Sequence, residues 1–130
     1  MATDQTAKRL DEVLKALADP LRQRILTLVA EHEVCVRYLV EVLRTIQPLV
    51  SRQLSFLRRV GLVEGRRDGK WIHYRILMPE SQAAAAVLTE TLRQLTITRQ
   101  GQDDLVRLAA YSQRKTGRLK GAPLPQRIKR

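Results

Sequence analysis

The sequence has few of the residues that hold a fold together covalently or anchor a chain in a membrane. Its 130 residues include one cysteine, and its longest unbroken apolar run, residues 83–88, is six residues long. Because a single cysteine forms no internal disulfide, packing must hold the fold, which suits a reducing compartment. A membrane-spanning helix needs roughly 18 apolar residues, and no basic-then-apolar leader opens the chain. We therefore expect a cytoplasmic protein.

Groups that could perform catalysis are also scarce. Cys35 has only His32 nearby in the sequence, and Ser51 and Ser55 lie among arginines with no neighbouring base. Nucleophilic catalysis requires a nucleophile within reach of a base, and a glycine-rich phosphate loop is missing as well. The sequence predicts that the protein is not an enzyme.

Acidic residues are outnumbered in two separate stretches of the chain. There are 24 Lys and Arg against 13 Asp and Glu, which gives a formal net charge of +11. Residues 44–75 carry a net +6 and residues 113–130 a net +7, whereas residues 1–43 and 76–112 each carry −1. Concentrated positive charge indicates a polyphosphate partner, with a merely solvated basic face as the alternative.

Apolar residues recur with helical spacing through most of the chain. The first stripe predicts a helix over residues 6–18, which Asp19-Pro20 ends while starting a second helix. Further helices are predicted over residues 36–43, 47–60, 80–98 and 103–112, with Gly61 and Gly101 as helix breaks.

Beyond residue 62 the apolar period changes from about 3.6 to 2, and Asp68-Gly69 predicts a two-residue hairpin turn. This turn would pair Arg66 with Trp71, as a guanidinium stacked on an indole, and Glu64 with His73, as an outward-facing pair. Four apolar residues are then expected on the face toward the helices: Val63, Ile72, Tyr74 and Ile76.

Two short helices, a turn, a longer helix and a basic hairpin, in this order, predict a winged helix-turn-helix. The fold class is therefore mainly α with a small β-hairpin. One helix of such a unit fits the major groove of DNA, while the hairpin reaches the flanking backbone or minor groove.

The helix over residues 47–60 has one apolar face and one polar face. The polar face carries Gln47, Ser51, Arg52, Ser55 and Arg58. Gln and Arg can form paired hydrogen bonds with adenine and guanine edges, and Ser can bond to either. The face contains no acid, which is unusual for a merely solvated helix. We predict that these residues bind DNA together with Arg66, Arg67 and Lys70 of the hairpin.

Four segments of the chain resemble the ArsR/SmtB family of winged-helix repressors. They read LKALADPLR at residues 14–22, QPLVSRQL at 47–54, LRRVGLV at 57–63 and GKWIHYRI at 69–76. The resemblance spans about residues 8–98. It implies a homodimer joined through the first and fifth helices, which blocks a promoter until an inducer binds.

The resemblance also implies an inducer site at the start of the third helix, where family members often have Cys-Val-Cys-Asp. The matching residues here are Cys35, Val36, Arg37 and Tyr38. Cys35 is the candidate for a metalloid or thiol-reactive inducer, although trivalent arsenic favours two or three thiolates. A mixed site of His32, Glu33 and Cys35 is one alternative, and a packed, unreactive Cys35 is the other.

The remaining expectations concern domains and partners. Residues 1–112 are predicted to form the DNA-binding and dimerisation domain, and residues 113–130 a flexible basic tail. The apolar face of the helix over residues 80–98 is expected to bind a second copy. A winged-helix module that binds RNA or protein through the same basic surface is the alternative function.

Overall fold

The computed structural model describes residues 2–113 and 122–128. Six helices and four strands follow one another as α1 (Ala2–Leu17), α2 (Pro20–Val29), β1 (His32–Cys35), α3 (Val36–Leu43), α4 (Gln47–Arg59), β2 (Val63–Asp68), β3 (Trp71–Ile76), α5 (Gln82–Thr96), α6 (Arg99–Gln113) and β4 (Gln126–Arg127). The strands form one antiparallel sheet in the order β2-β3-β1-β4. The mainly helical winged fold is therefore confirmed, although the sheet is twice as wide as a hairpin.

Local sequence signals set several of the boundaries. The Asp19 carboxylate accepts hydrogen bonds from the backbone N–H of Leu21 (2.8 Å) and Arg22 (3.1 Å), and Pro20 occupies the first turn of α2. After α4, Gly61 adopts a φ of 75°, as expected of a residue that ends a helix in the left-handed region. The turn between α3 and α4 passes through Arg44 in the same region, with a φ of 54°.

One hydrophobic core joins the helices to one face of the sheet. Its largest fully buried side chains come from α1, α2, β1, α3, α4 and α5, and include Ile25, Leu26, Leu39, Leu54 and Leu88. No helix in the described part of the chain is long and apolar enough to cross a membrane.

The hairpin register differs from the prediction. Asp68 pairs with Trp71, so the turn consists of Gly69 and Lys70, and Gly69 has the positive φ (62°) that this position requires. The shift moves each partner by two residues, so the alternation of side chains along each strand is kept, although His73 is buried and not outward-facing as predicted. Two predicted cross-strand pairs are nevertheless wrong, because Arg66 lies opposite His73 and Glu64 lies opposite Arg75.

The α5–α6 boundary also differs, because Gly101 lies inside α6 rather than between two helices. The two helices approach closely at this point. A Cβ added to Gly101 would lie 2.1 Å from the carbonyl oxygen of Leu95, so only glycine fits. Gly101 therefore serves a close approach between helices and not a chain break.

Part of the predicted flexible tail is ordered. Strand β4 pairs with β1 (Arg127 with His32, Gln126 with Glu33), and Ala122 is fully buried. The prediction of flexibility is therefore wrong for residues 122–128, while residues 114–121 and 129–130 lie outside the described residues. The division at residue 112 stays a prediction.

Candidate nucleic-acid interface

Helix α4 has the two faces that the sequence predicts. Val50, Leu54 and Leu57 are buried in the core. On the other side Gln47, Arg52, Ser55 and Arg58 are exposed, and Ser51 is partly exposed. The structure thus brings the five candidate residues to one accessible side of one helix, with no acidic residue on it.

Arg22 of α2 holds α4 in place, a role that the sequence analysis missed. Its Nη1 donates to Oε1 of Gln53 (3.0 Å), and its guanidinium lies 4.3 Å from the ring centre of Phe56. The same side chain donates to the carbonyl oxygens of Lys15 (2.8 Å) and Ala16 (2.9 Å) near the end of α1. One side chain therefore joins α1, α2 and α4.

Arg9 of α1 performs a similar role at the C-terminal end of α4. Its Nη1 donates to the carbonyl oxygen of Val60 at 2.6 Å, directly after the last helical residue. A cation at this position pairs with the unsatisfied carbonyls and the negative end of the helix dipole. Arginines of two other helices thus contact α4, Arg22 through Gln53 and Phe56 and Arg9 at the C-terminal end. Only the neighbouring Asp19-Pro20 signal could have suggested such a role for Arg22.

The hairpin of β2 and β3, which we call the wing, carries the other candidate contacts. Arg66, Arg67 and Lys70 are all exposed. Lys70 lies 5.2 Å from the ring centre of Trp71, so a lysine takes the place over the indole that was predicted for Arg66. Arg66 instead donates to Oε1 of Glu33 through both Nη2 (2.6 Å) and Nε (3.1 Å).

His73 lies beneath this ion pair and is not the outward-facing residue that the sequence suggested. It is 3% exposed, and its Nε2 has no hydrogen-bond partner in the part of the chain described. Burial lowers the pKa of His73, and the positive charge of Arg66 lowers it further, whereas Glu33 and Asp68 act in the opposite direction. His73 is therefore a neutral buried side chain at the base of the wing. Glu64, its predicted partner, binds Arg75 at 2.6 Å.

Cys35 precedes α3 and is fully buried. Burial raises the pKa of its thiol, although the backbone N–H groups of Arg37 and Tyr38 and the charge of Arg37 favour the thiolate. The Arg37 guanidinium lies 3.2 Å from Glu41. Within residues 2–113 and 122–128, no group of three His, Cys, Asp or Glu side chains is placed to hold a metal ion. Among these described residues, Cys35 is the one thiol, so a metalloid site with two or three thiolates would need ligands from outside one protomer.

Comparisons with known proteins agree with this geometry. Residues 19–65 match the model of the family described as bacterial regulatory protein, arsR family. The chain is 40% identical to the arsenical resistance operon repressor of Escherichia coli K12 over 83 residues, which are 63% of this chain and 71% of that protein. It is 35% identical to the biofilm growth-associated repressor of Xylella fastidiosa over 105 residues, covering 78% and 89% of the two chains.

A solved structure gives the same result for the fold. The crystal structure of the transcriptional repressor BigR from Xylella fastidiosa superimposes with a TM-score of 0.60 at 29% identity, covering 73% of this chain and 90% of that one. The matched family consists of transcriptional regulators and is not an enzyme class. The chain belongs to the arsR family of bacterial regulatory proteins, and is a DNA-binding transcriptional regulator with a winged helix-turn-helix fold.

Proposed function

We propose that the protein is a homodimeric, sequence-specific repressor whose α4 enters the major groove while the wing contacts the phosphate backbone. The single observation that carries the proposal is the accessible, acid-free side of α4, where Gln47, Arg52, Ser55 and Arg58 are exposed together. Gln and Arg side chains have the donors and acceptors that distinguish base pairs in the major groove.

The wing supports this arrangement through charge. Arg67 and Lys70 are exposed near the hairpin turn and form no ion pair with an acidic side chain of the described residues, whereas Arg66 is held by Glu33. Contacts to phosphates position a protein on DNA without reading its sequence. In this arrangement α4 determines which base sequence is preferred, and the wing adds affinity for DNA of any sequence.

The structure leaves less exposed apolar surface for a dimer interface than the sequence suggests. The apolar face of α5 is largely used within the protomer, because Ala84, Leu88 and Leu92 are buried. What stays accessible is Leu14 of α1, which is 55% exposed, and Ile97 just after α5, which is 69% exposed. These residues, together with the dimer implied by the family, favour a second copy at α1 and α5.

Release by an inducer is the remaining part of the proposal. The Escherichia coli relative is named for arsenical resistance, but this chain has a single buried thiol beside Arg37 at the corresponding position. A cation beside the thiol would repel an incoming metal cation, and three-thiolate capture within one protomer is not possible. We propose a repressor whose release does not depend on tight arsenite binding at Cys35.

The test is selection of bound DNA from a random pool, followed by sedimentation of the free and bound protein. We expect an imperfect palindrome whose half-sites lie about 34 Å apart, because the two α4 helices of a dimer read successive major grooves. Binding should weaken steeply with salt. A monomer at micromolar concentration, or equal affinity for RNA of random sequence, would contradict the proposal and favour the interaction module.

A further inference from the structure

A cavity of about 410 Å³ lies between α2, α5 and α6, away from the side of α4 that carries the candidate DNA contacts. Apolar atoms make up most of its wall, to which Pro20, Leu95 and Gly101 contribute, although the other six lining residues are polar or charged. Small-molecule sites in proteins are commonly apolar hollows of 300–1,000 Å³ with a few polar groups. Neither the DNA-binding surface nor Cys35 accounts for this cavity.

The polar part of the wall is an ion network with more positive than negative charge. The Asp104 carboxylate is 1% exposed and accepts two hydrogen bonds from Arg24, at 2.9 and 3.0 Å. It also accepts from Arg107 (3.2 Å) and from the Gln100 amide (3.0 Å). Two guanidinium groups thus share one carboxylate, which leaves a surplus of one positive charge beside the cavity.

Arg24 is the donor that a ligand in the cavity would meet. Its pair with Asp104 uses Nε and Nη2, so Nη1 takes no part in these two hydrogen bonds. The hydroxyl of Thr27 already donates to the carbonyl of Gln23, and the Gln23 amide donates to the carbonyl of Leu17. Thr98 likewise donates its hydroxyl hydrogen to the carbonyl of Leu95. A ligand therefore finds an apolar wall and one cationic donor, a combination that suits a carboxylate on an apolar body.

We infer that the cavity between α2, α5 and α6 binds a small organic anion, a carboxylate attached to a single ring or a comparable apolar group. The carboxylate lies against Arg24, and the apolar part contacts Pro20 and Leu95. The residues that form the site are distinct from those that contact DNA.

The same network reaches the helix-turn-helix. Arg107 donates from Nε to the carbonyl oxygen of Val42 (3.1 Å), in the last turn of α3 and just before the turn to α4. An anion on Nη1 of Arg24 adds negative charge beside the Asp104 carboxylate that Arg24 shares with Arg107, and so alters the ion pair of Arg107 and its support of α3. This step rests on the proposed function, and it gives the repressor an inducer site that requires no thiol.

Direct binding decides whether the site exists. We would titrate the full chain, without DNA, with benzoate, phenylacetate and indole-3-acetate, using benzamide as the uncharged control, and measure heat and amide NMR shifts. We expect saturable binding of at least one carboxylate, shifts confined to residues around the cavity, and binding of benzamide weaker by about tenfold or more. Absence of binding at millimolar concentration for all three, or shifts centred elsewhere, would overturn the inference.

Two variants and one control sharpen the result. Leu95→Trp fills the cavity, and the double change Arg24→Gln with Asp104→Asn removes the guanidinium without leaving an unpaired buried carboxylate. Arg99→Gln, at the exposed start of α6, is the matched control. We expect binding to be lost in the first two proteins, each shown to be folded by its thermal unfolding, and kept in the control. Unchanged binding in a folded Leu95→Trp protein would refute the site.

The effect on DNA is measured separately. We expect the carboxylate to lower operator affinity in the native protein and not in Leu95→Trp. A protein that binds operator but no carboxylate would refute this inference alone, whereas one that binds carboxylate but no DNA would refute the proposed function alone.

Discussion

Arg66 at the base of the wing is bound to Glu33 of β1 by two hydrogen bonds, the shorter of which is 2.6 Å between Nη2 and Oε1. The hydrogen bond from Arg66 lowers the pKa of Glu33, so the carboxylate stays charged under ordinary conditions. An arginine that faces solvent on the wing is thus partly neutralised by the neighbouring strand. The three candidate DNA contacts of the wing, Arg66, Arg67 and Lys70, are therefore not equivalent.

This difference predicts unequal losses of DNA affinity. Arg67→Ala and Lys70→Ala should each weaken binding to all sequences and reduce the slope of log affinity against log salt by about one. Arg66→Ala should do less, because its charge is already paired. Glu33→Gln is the matched variant, and it should strengthen binding and steepen the slope. Equal losses of DNA affinity on replacing Arg66, Arg67 and Lys70 would contradict the proposal that Glu33 neutralises Arg66.

Arg52 is predicted to determine base preference. It is exposed on α4 and forms no ion pair within the part of the chain that the structure describes. Replacement by Ala should cost about 1–3 kcal/mol of binding free energy and relax preference at one base position. Fluorescence anisotropy on the selected operator and on random DNA measures both effects. Arg99→Ala, outside the helix-turn-helix and the wing, is the control. Equal losses on specific and random DNA would show that Arg52 contacts only the backbone.

Arg22 is predicted to stabilise the fold and not to contact DNA directly. Its side chain is 16% exposed and bonds to two carbonyls of α1 and to Gln53 of α4. Arg22→Ala should lower the free energy of unfolding by about 2 kcal/mol, because charged hydrogen bonds are lost and carbonyls are left unpaired. Arg59→Ala, which removes an exposed arginine near the same Phe56 ring, should change it by less than about 0.5 kcal/mol. Urea unfolding of the two variants separates these expectations.

The buried His73 side chain should make the free energy of unfolding depend on pH. Its pKa in the folded protein is lowered from the ordinary 6.5, so the unfolded chain binds a proton before the folded one does as the pH falls. The stabilising contribution of neutral His73 is therefore complete above about pH 6.5 and declines below it. Urea unfolding between pH 7.5 and 5.5 should show this decline, and His73→Gln should reduce it. The same pH dependence in the variant would assign the effect to another group.

The thiol of Cys35 is expected to react slowly with alkylating reagents. Because burial raises its pKa, little thiolate is present near neutral pH, and the folded protein should react with iodoacetamide much more slowly than the unfolded chain. Cys35→Ser should keep operator binding nearly intact. Release of operator by low-micromolar arsenite in the native protein, but not in Cys35→Ser, would show that other ligands complete a metalloid site.

Periodicity was sufficient for the helices and for the polar side of α4, because both depend on spacing along a single segment. The bounds of α3 agree with the prediction, and the alternation of side chains along β2 and β3 is kept despite the register shift of two residues. What spacing could not provide are contacts between distant segments. The hydrogen bonds of Arg66 to Glu33 and of Arg22 to Gln53 each join residues more than 30 positions apart. The burial of His73 depends on equally distant neighbours, because Cys35 lies opposite it in the sheet.

Two further errors have a similar origin. Local sequence does not distinguish a glycine that permits close packing, as Gly101 does, from one that ends a helix. The composition of residues 122–128 predicts flexibility, although a backbone ladder to β1 requires no particular side chains. Composition alone does not reveal that a partner strand is available.

The pairing of β4 with β1 has a consequence for biosynthesis. Residues 126 and 127 are made about 90 residues after β1, which at normal elongation rates is roughly 5–20 s later. During this interval the outer backbone groups of β1 are open, and an open strand edge is a template for pairing with other chains. Docking of β4 closes that edge with two residues, and the hydrogen bond from Ile128 N–H to the carbonyl of Glu31 (2.9 Å) secures the closure. A shortened chain that stops before Gln126 would keep the edge open permanently and aggregate more readily during expression.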